Sequence, residues 1–439
     1  MRSPRRTTAL VALVLLSLVG AACGIDDSKV AGGDGMTVNT DTSKSTIPPL
    51  DASDLRNVAE NIQQFWAKTL PQLYGQKYKR IPDSRIISGT PETDFPTCKG
   101  RQITYDDVKG NAFAAPCKPE GITVVWDDKG LIPSLSKRFG SVAPAIVLAH
   151  EWGHVAQFQA GTDEPSIIME QQADCFAGSW LHALIKGPGG LSELTTENPL
   201  DTSLKTIIEV RDQPGSTTDE QTAHGSGFDR VRALQEGFER GAAFCAKYPT
   251  KPPHLIDLQF TSEDELATGG NLPLDDPSQP ENSLLPLVVQ DLNDFYGREV
   301  PNFKGSSVDA VRSNDDAMQQ LEDLDERVGD NGAGLVLGLV WARFAQQQTG
   351  SDKGRDAFGQ QLQQACMTGG WMADVLARDP DTADLHFSPG DVDEAIIALI
   401  DLGTPHDVHS QSADGGLFQL VSSLRQGVTQ GFSSCGLKK

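Results

Sequence analysis

The sequence predicts an α+β protein of two domains. The first domain has a small sheet packed on a helix, and the second is a mostly helical, degenerate repeat of it. Three observations predict this fold. The chain matches itself in two stretches that keep their landmark residues in the same order. Only the first stretch contains a strand-like segment, at 122–126, and both contain apolar runs bounded by helix start and stop signals.

The first 22 residues have the pattern of a cleaved export signal. Arg2, Arg5 and Arg6 precede an apolar run at 9–19 that is too short to span a bilayer comfortably, and small residues then lead to Cys23. A cysteine directly after small residues resembles the bacterial lipoprotein signal, which implies that Cys23 is lipidated and becomes the new N-terminus. We therefore expect an exported lipoprotein of the cell membrane, facing the extracytoplasmic side. Ordinary secretion without Cys23 is the alternative.

The expected mature chain is strongly acidic. Removal of the signal peptide lowers the basic count from 37 to 34 against 60 acidic residues, a net charge of −26. This charge repels phosphate backbones and anionic headgroups, so we expect no nucleic acid among the partners and a membrane contact only through the lipid on Cys23. Residues 23–50 are rich in Gly, Asp, Ser and Thr without apolar periodicity, which predicts a flexible tether.

Two copies of one unit account for the rest of the chain. We place the first copy at 51–250, a linker rich in Pro, Asp and Gly at 251–282, and the second copy at 283–439. The landmarks of the two copies, in matching pairs, are Phe65 and Phe295, Trp152 and Trp341, Gln157 and Gln346, Gly161 and Gly350, Cys175 and Cys366, Gly178 and Gly369, Trp180 and Trp371, Gly237 and Gly427, and Cys245 and Cys435. Two unrelated amphipathic helical stretches are the alternative.

The cysteines fit this duplication. With Cys23 carrying the lipid, one pairing of the other six respects both the repeat and the insert that only the first copy contains. The predicted disulfides are Cys98–Cys117, Cys175–Cys245 and Cys366–Cys435. For the second of these, a reduced and buried Cys175 is the alternative.

A motif that carries chemistry occurs in the first copy only. Ser141 begins an apolar helix that continues through the sequence HEWGH at 150–154. His150 and His154 lie four residues apart on one helix face, where both can bind a single Zn²⁺. Glu151 then lies beside the metal and can take a proton from the bound water. The alternative is a pair of surface histidines on an ordinary helix.

The next predicted helix supplies the rest of a zinc site. Glu170 and Asp174 stand one turn apart on one face of this helix. This arrangement lets Glu170 be the third zinc ligand, while Asp174 accepts a hydrogen bond from a ligating histidine and fixes its tautomer. The alternative is a solvated acidic face, which is usual for such pairs.

At these residues the chain resembles the bacterial neutral zinc metallopeptidases, a family with a zincin-like, glutamate-ligated site. The matching segments in this sequence are HEWGH at 150–154 with Gln157, EQQADCFAG at 170–178, and AHGS at 223–226 followed by RVR at 230–232 and Gly237. The resemblance covers nearly all of the first copy. It implies zinc ligands at His150, His154 and Glu170, and a general base at Glu151.

Two positions differ from the family pattern, and a further histidine, His224, agrees with it. Val155 and Ala223 stand where the family usually has His and Thr, which leaves the substrate preference open. His224 lies in a Gly-flanked loop where the family regularly has a histidine. It is expected either to donate a hydrogen bond to the oxyanion of the tetrahedral intermediate or to hold the region around Cys175 and Cys245.

These features predict a lipid-anchored, extracytoplasmic zinc peptidase acting on peptide or protein substrates. We expect the substrate to pair with segment 122–126 as the edge strand above the metal helix, unless that segment is a central strand. The rival reading is a non-catalytic envelope scaffold or adaptor protein that retains a structural zinc. The second copy is expected to bind no zinc and to cleave nothing. Opposite the six site residues it has Leu339, Val340, Arg343, Gln361, Ala365 and Asp414.

Overall fold

The computed structural model has a mixed α+β fold that is mostly helical, with 63% helix and 6% strand, in agreement with the predicted class. The structure describes residues 52–162, 167–187, 194, 198–216, 224–260, 262–380, 382–403 and 416–437. The predicted signal peptide, Cys23, the tether, Ala223 and Asp414 lie outside these ranges. None of the helices within them combines the length and the apolar character that a membrane span needs.

The chain divides into two compact units. The first contains the described residues up to Gly269 together with the beginning of the last helix, through Ser422. The second contains the described residues from Gly270 to position 403 and those from Ser423 onward. All the described residues of the predicted zinc site fall in the first unit.

The first unit combines helices with two small sheets. Its helices are α1 (Ala52–Tyr74), α2 (Leu131–Phe139), α3 (Val142–Ala160), α4 (Ile167–Lys186), α5 (Pro199–Glu209), α6 (Gly227–Arg240), α7 (Ala242–Cys245) and α8 (Glu263–Thr268). Its strands are β1 (Ile86–Gly89), β2 (Thr97–Cys98), β3 (Arg101–Gln102), β4 (Ala112–Cys117) and β5 (Gly121–Asp127). Strands β2 and β3 form a separate antiparallel pair.

The larger sheet has the strand order β1-β5-β4, so β5 is its central strand. Strand β5 pairs parallel with β1 and antiparallel with β4. Val124, Val125 and Trp126 are fully buried, as is typical of a strand covered on both faces. The prediction that segment 122–126 is an edge strand is therefore wrong, and the central-strand alternative is correct. The edge strand that packs against α3 is β4.

Helix α3 lies at the centre of the first unit. It is buried on nearly every side because it packs against α1, α4, α5 and β4. The helix ends at Gly161, whose φ of 97° is one that residues with a side chain rarely adopt. Gly153 faces α4, and a Cβ there would lie 2.8 Å from the Cα of Ala173. The absence of that Cβ lets the two helices that carry the predicted zinc ligands approach closely.

Three disulfides are present, and they join the cysteine pairs that the duplication predicts. The bonds are Cys98–Cys117, Cys175–Cys245 and Cys366–Cys435. The second of them connects α4 to α7 through a cysteine that directly follows Asp174 in the chain. The alternative of a reduced Cys175 does not apply.

Helices are the regular secondary structure of the second unit, and its described residues contain no strand. Its helices are α9 (Leu284–Glu299), α10 (Val308–Arg312), α11 (Asp315–Val328), α12 (Asp330–Thr349), α13 (Ala357–Leu376), α14 (Asp391–Leu402) and the later part of α15 (Gly416–Gln430). Helix α12 is buried on most sides and packs against α9, α11, α13 and α14.

Two glycines in the first unit let α4 and α6 pack backbone against backbone. A Cβ at Gly178 would lie 1.9 Å from the carbonyl oxygen of Leu234, and one at Gly237 would lie 1.7 Å from that of Cys175. Real side chains do not come this close to backbone atoms. Any substitution at either glycine must therefore push the two helices apart.

We expect Gly237→Ala to lower the free energy of unfolding by about 2 kcal/mol, because overpacking of about 3 kcal/mol exceeds the roughly 1 kcal/mol that alanine adds as a better helix former. Denaturant unfolding of the full chain measures this. The matched control is Gly297→Ala in α9, where a new Cβ would meet no atom within 4 Å. That control should be neutral or slightly more stable than the wild type. Equal stability of the two variants would contradict the steric explanation.

Candidate metal centre

His150, His154 and Glu170 bring their donor atoms together from two adjacent helices. The Nε2 atoms of His150 and His154, on α3, are 3.1 Å apart. Glu170, on α4, places Oε2 3.2 Å from His150 Nε2 and Oε1 3.3 Å from His154 Nε2. Bonds of about 2.0–2.1 Å to a tetrahedral zinc ion require donor atoms that are about 3.3 Å apart. The three side chains therefore have the spacing of zinc ligands.

The chemistry of this cluster also fits zinc. His150 is only 5% exposed, and the buried Oε2 of Glu170 has no hydrogen-bond partner among the described residues. A buried carboxylate oxygen without a donor is unfavourable, and a cation would satisfy it. Two imidazole nitrogens and one carboxylate oxygen form a ligand set of catalytic zinc sites, which keep a fourth position for water. The residues present can therefore hold one zinc ion.

Each histidine is oriented through its other ring nitrogen. His150 Nδ1 is 2.7 Å from Asp174 Oδ1, and His154 Nδ1 is 2.8 Å from Gln157 Oε1. Because both oxygens are acceptors, the two Nδ1 atoms carry protons and the two Nε2 atoms are directed at the cluster, where they are available to a metal that displaces a proton. Asp174 thus makes the contact that its place on α4 predicts. Gln157 makes the corresponding contact with His154, although the sequence analysis treats it only as a landmark and as part of the family resemblance.

Arg230, in α6, binds the same Asp174 carboxylate that contacts His150. Its Nε donates to Asp174 Oδ2 at 2.8 Å, and its Nη2 donates to Oδ1 at 2.9 Å. Burial alone would raise the pKa of Asp174, but the charges of Arg230 and His150 hold it at about 2. Asp174 is therefore a carboxylate at any working pH. The sequence analysis names Arg230 only as part of the family resemblance and does not predict this contact, because 56 positions separate it from Asp174.

The carboxylates in turn act on the ligands. Burial alone would lower the pKa of His150, but Asp174 and Glu170 raise it to about 10. Burial would raise the pKa of Glu170, but the charges of His154 and His150 keep it well below its usual value. Glu170 is therefore an anion, as a metal-binding carboxylate must be. A proton competes with zinc for His150 Nε2, so the affinity for zinc should fall as the pH falls.

We expect Asp174→Asn to weaken zinc binding about 10- to 100-fold, because loss of a carboxylate partner lowers the basicity of His150. Competition with a chromogenic zinc chelator measures the affinity. The matched control is Glu209→Gln, which breaks an ion pair with Arg138 elsewhere in the first unit. The control should bind zinc as the wild type does. If Asp174→Asn also kept the wild-type affinity, Asp174 would have no part in orienting a ligand.

Glu151 lies between the cluster and the edge of the sheet. It is 7% exposed, and its Oε2 accepts a hydrogen bond of 2.7 Å from the backbone N–H of Ala114 in β4. Burial raises the pKa of the Glu151 carboxyl. A raised pKa brings a carboxylate closer to the range in which it can both take up and release a proton. Its position next to an edge strand is where an extended substrate would meet it.

His224 stands at the rim of the cluster. Its side chain is 41% exposed, and its Nε2 is 4.0 Å from Glu170 Oε2. Asp212 holds this loop by accepting hydrogen bonds from the backbone N–H groups of His224 and Gly225, at 2.6 and 2.7 Å. The position suits the first expectation, donation to a substrate oxygen. The second expectation is that His224 holds the region around Cys175 and Cys245. Among the described residues, no hydrogen bond or ion pair joins the His224 side chain to the disulfide between these cysteines. The sequence analysis missed Asp212, because a loop aspartate carries no spacing signal.

The structure thus brings five predicted site residues together, with His224 at their edge. The five are His150, Glu151, His154, Glu170 and Asp174. No protein-family model, no curated protein and no solved structure matches the chain. The chemistry of the site therefore follows from its own residues.

Proposed function

We propose that the protein is a zinc-dependent peptidase that hydrolyses peptide or protein substrates. The observation that carries this proposal is the cluster of His150, His154 and Glu170, which presents three donors at zinc spacing with Glu151 on the same helix. The resemblance to the bacterial neutral zinc metallopeptidases supports it and adds a zincin-like fold for the first unit. Export and a lipid anchor at Cys23 belong to the proposal and are supported by the sequence alone.

Each side chain around the cluster has a different role in the proposed hydrolysis. Zinc bound by the three ligands would polarise the scissile carbonyl and lower the pKa of a coordinated water. Glu151 accepts a proton on its carboxylate and returns it to the leaving amine. His224 is placed to donate a hydrogen bond to the carbonyl oxygen as negative charge develops there. Asp174 and Gln157 keep both histidine rings in the orientation that this chemistry needs.

We assign the substrate backbone to strand β4 in place of the central strand β5. Strand β4 is at the edge of the sheet and packs on α3. The N–H of Ala114 is bonded to Glu151, and Pro116 has no N–H. A peptide that adds to this edge would therefore bind mainly by donating its own N–H groups to the carbonyl oxygens of β4. This favours extended, unstructured segments as substrates.

A peptide library tests the proposal against its rival, a non-catalytic envelope scaffold or adaptor protein with a structural zinc. The zinc-loaded mature chain is incubated with a broad library, and the products are identified by mass spectrometry. We expect cleavage that a chelator removes and added zinc restores. If the zinc-loaded protein cleaved nothing, the scaffold reading would be favoured.

The carboxyl of Glu151 predicts the acid side of the rate profile. Only the ionised carboxylate can accept a proton, so kcat/KM should fall as the pH falls through the pKa of Glu151. Burial raises that pKa and the charge of a bound zinc ion lowers it, so the midpoint of the decline gives the pKa of Glu151 in the zinc-loaded site. Rates are measured across pH for the wild type and Glu151→Gln, with the zinc content checked at each point. An unchanged acid-side decline in the residual rate of Glu151→Gln would exclude Glu151 as the base.

We also propose that the second unit is a degenerate copy of the first, and matching side-chain contacts support this. Gln159 exchanges two hydrogen bonds with the backbone of Lys79, both 2.7 Å long. Gln348 exchanges two with the backbone of Lys304, both 2.8 Å long. The two glutamines occupy matching positions, because each lies two residues after a landmark glutamine, Gln157 or Gln346.

A second set of matching contacts involves the helix-packing glycines. A Cβ at Gly369 would lie 2.1 Å from the carbonyl oxygen of Leu424, as one at Gly178 would lie 1.9 Å from that of Leu234. Each glycine follows a disulfide-bonded cysteine by three positions on the same helix. The two units thus have the same glycine-mediated helix packing, but the second unit lacks the proposed zinc ligands. Among the described residues, the positions opposite them hold Leu339, Arg343 and Gln361. We therefore assign the second unit a packing or partner-binding role.

A further inference from the structure

A second cluster of potential ligands lies within the second unit, where two helices begin. Asp330 is the first residue of α12, and Asp391 and Glu394 lie in the first turn of α14. One carboxylate oxygen from each of the three lies within 4.8 Å of the others. Asp330 is 2% exposed and Asp391 is 5% exposed. Three carboxylates are thus gathered in a largely buried place.

Backbone hydrogen bonds explain part of this arrangement. The backbone N–H of Leu272, in a loop, donates to Asp330 Oδ2 at 2.7 Å, and that of Ser388 donates to Asp391 Oδ2 at 2.9 Å. The backbone N–H of Asn331, in the first turn of α12, donates to Glu394 Oε2 at 3.0 Å. Carboxylates at helix N-termini are favourable in any protein. These bonds therefore account for one oxygen of each group, and they do not require three carboxylates to meet.

A buried oxygen atom of the cluster is left without a donor. Asp330 Oδ1 has no hydrogen-bond partner among the described residues, although Asp330 is only 2% exposed. The neighbouring Asn331 donates through Nδ2 to the carbonyl oxygen of Asp391 at 2.7 Å, which connects the first turns of α12 and α14. A buried oxygen that no N–H or O–H satisfies is what a cation binds.

The charges of Asp330 and Glu394 have no basic partner among the described residues. Among the described residues, no Lys, Arg or His side chain forms an ion pair with Asp330 or Glu394. Burial and the neighbouring carboxylates, Asp330 among them, raise the pKa of Glu394 to about 8. Burial and the charge of Asp325 raise the pKa of Asp330 to about 6. Either protons or a cation must balance these charges.

A glycine makes room for the cluster. Gly329 precedes α12 with a φ of +124°, and a Cβ there would lie 2.1 Å from Glu394 Cδ. A side chain at this position would displace the Glu394 carboxylate from Asn331 and Asp330. The backbone thus leaves the space into which the third carboxylate reaches.

We propose that Asp330, Asp391 and Glu394 bind a calcium ion. All the donors are oxygen atoms, which calcium prefers, whereas zinc prefers nitrogen and sulfur. Calcium also tolerates an irregular set of six to eight ligands, some of them water, while magnesium demands a regular octahedron. The ion would join the first turns of α12 and α14. This site is independent of the zinc cluster and of the proposed peptidase activity.

Calorimetry on the zinc-loaded mature chain tests this site, with calcium chloride as the probe and magnesium chloride as the comparison. We expect one calcium per chain by titration. At a calcium concentration about 100-fold above the dissociation constant, the midpoint of thermal unfolding should rise by about 5–10 °C. Asp330→Asn should abolish both effects. Glu394→Gln, at a less buried position, serves as a second variant if the first does not fold.

Two controls separate this site from other acidic groups. Glu281→Gln removes an exposed carboxylate from the same unit, and Glu170→Gln changes the zinc cluster alone. Both should keep the calcium response. The proposal is overturned if calcium neither binds nor raises the midpoint in the wild type, if magnesium binds more tightly, or if Glu394→Gln responds as the wild type does. The wild type could also show no response to calcium while Asp330→Asn raises the midpoint of thermal unfolding. That result would overturn the proposal, because it would mean that protons shared between the carboxylates balance their charge.

Discussion

Glu151→Gln is expected to lower kcat/KM about 10²- to 10⁴-fold while the protein keeps one zinc per chain. Glutamine has nearly the size of glutamate, and its side-chain oxygen can still accept the hydrogen bond from Ala114. It cannot accept a proton, so the step that activates the attacking water loses its base. The peptide identified from the library serves as the substrate, and metal analysis reports the zinc content of the same sample.

The control for this variant is Glu92→Gln, which changes an exposed glutamate of the first unit. It should have the wild-type rate and the wild-type zinc content. Wild-type activity in Glu151→Gln would remove the proposed base from the mechanism. Loss of zinc from Glu151→Gln would mean that Glu151 is a ligand, and that the cluster of three described above is incomplete.

His154→Ala is expected to remove the zinc and with it all zinc-dependent hydrolysis. The proposed site has three protein ligands, and such a site cannot lose one and retain tight binding. The loss should exceed that of Asp174→Asn, because a ligand is removed and not merely its support. Metal analysis after dialysis against a weak chelator gives the zinc content per chain.

His182→Ala is the matched control for this second variant. The Nδ1 of His182 donates to the carbonyl oxygen of Phe238 at 2.8 Å, so this histidine already has a structural partner. The control should keep its zinc. Full zinc occupancy in His154→Ala would show that the ligand assignment is wrong, whatever the activity of the protein.

The ligands could be predicted from the sequence because each half of the site is local. His150 and His154 share one face of α3, and Glu170 and Asp174 share one face of α4. Helical periodicity alone determines both relations. The disulfides could be predicted because the proposed internal repeat restricts the pairing of the cysteines. Residue type and short-range spacing were sufficient for the site residues, and the comparison of the two copies was sufficient for the disulfides.

The supporting residues could not be predicted because they reach the site from distant parts of the chain. Arg230 lies 56 positions from Asp174, and Asn331 lies 60 positions from Asp391 in the acidic cluster. No periodicity relates such positions, so only the packing of helices brings them together. The same limit explains the wrong expectation for segment 122–126. Its poor alternation is typical of a strand buried on both faces, but the strand order is not a local property.

The disulfide between Cys175 and Cys245 has a consequence for the unfolded chain. It closes a loop across a sequence separation of 70 residues. In the chain-entropy account, a crosslink of this length removes enough disorder from the unfolded ensemble to stabilise the fold by roughly 4 kcal/mol at 25 °C. Glu170 lies five positions before Cys175, on the same helix. Reduction would therefore weaken metal retention without touching a ligand, since a chain that unfolds more often exposes its ion to competing chelators more often.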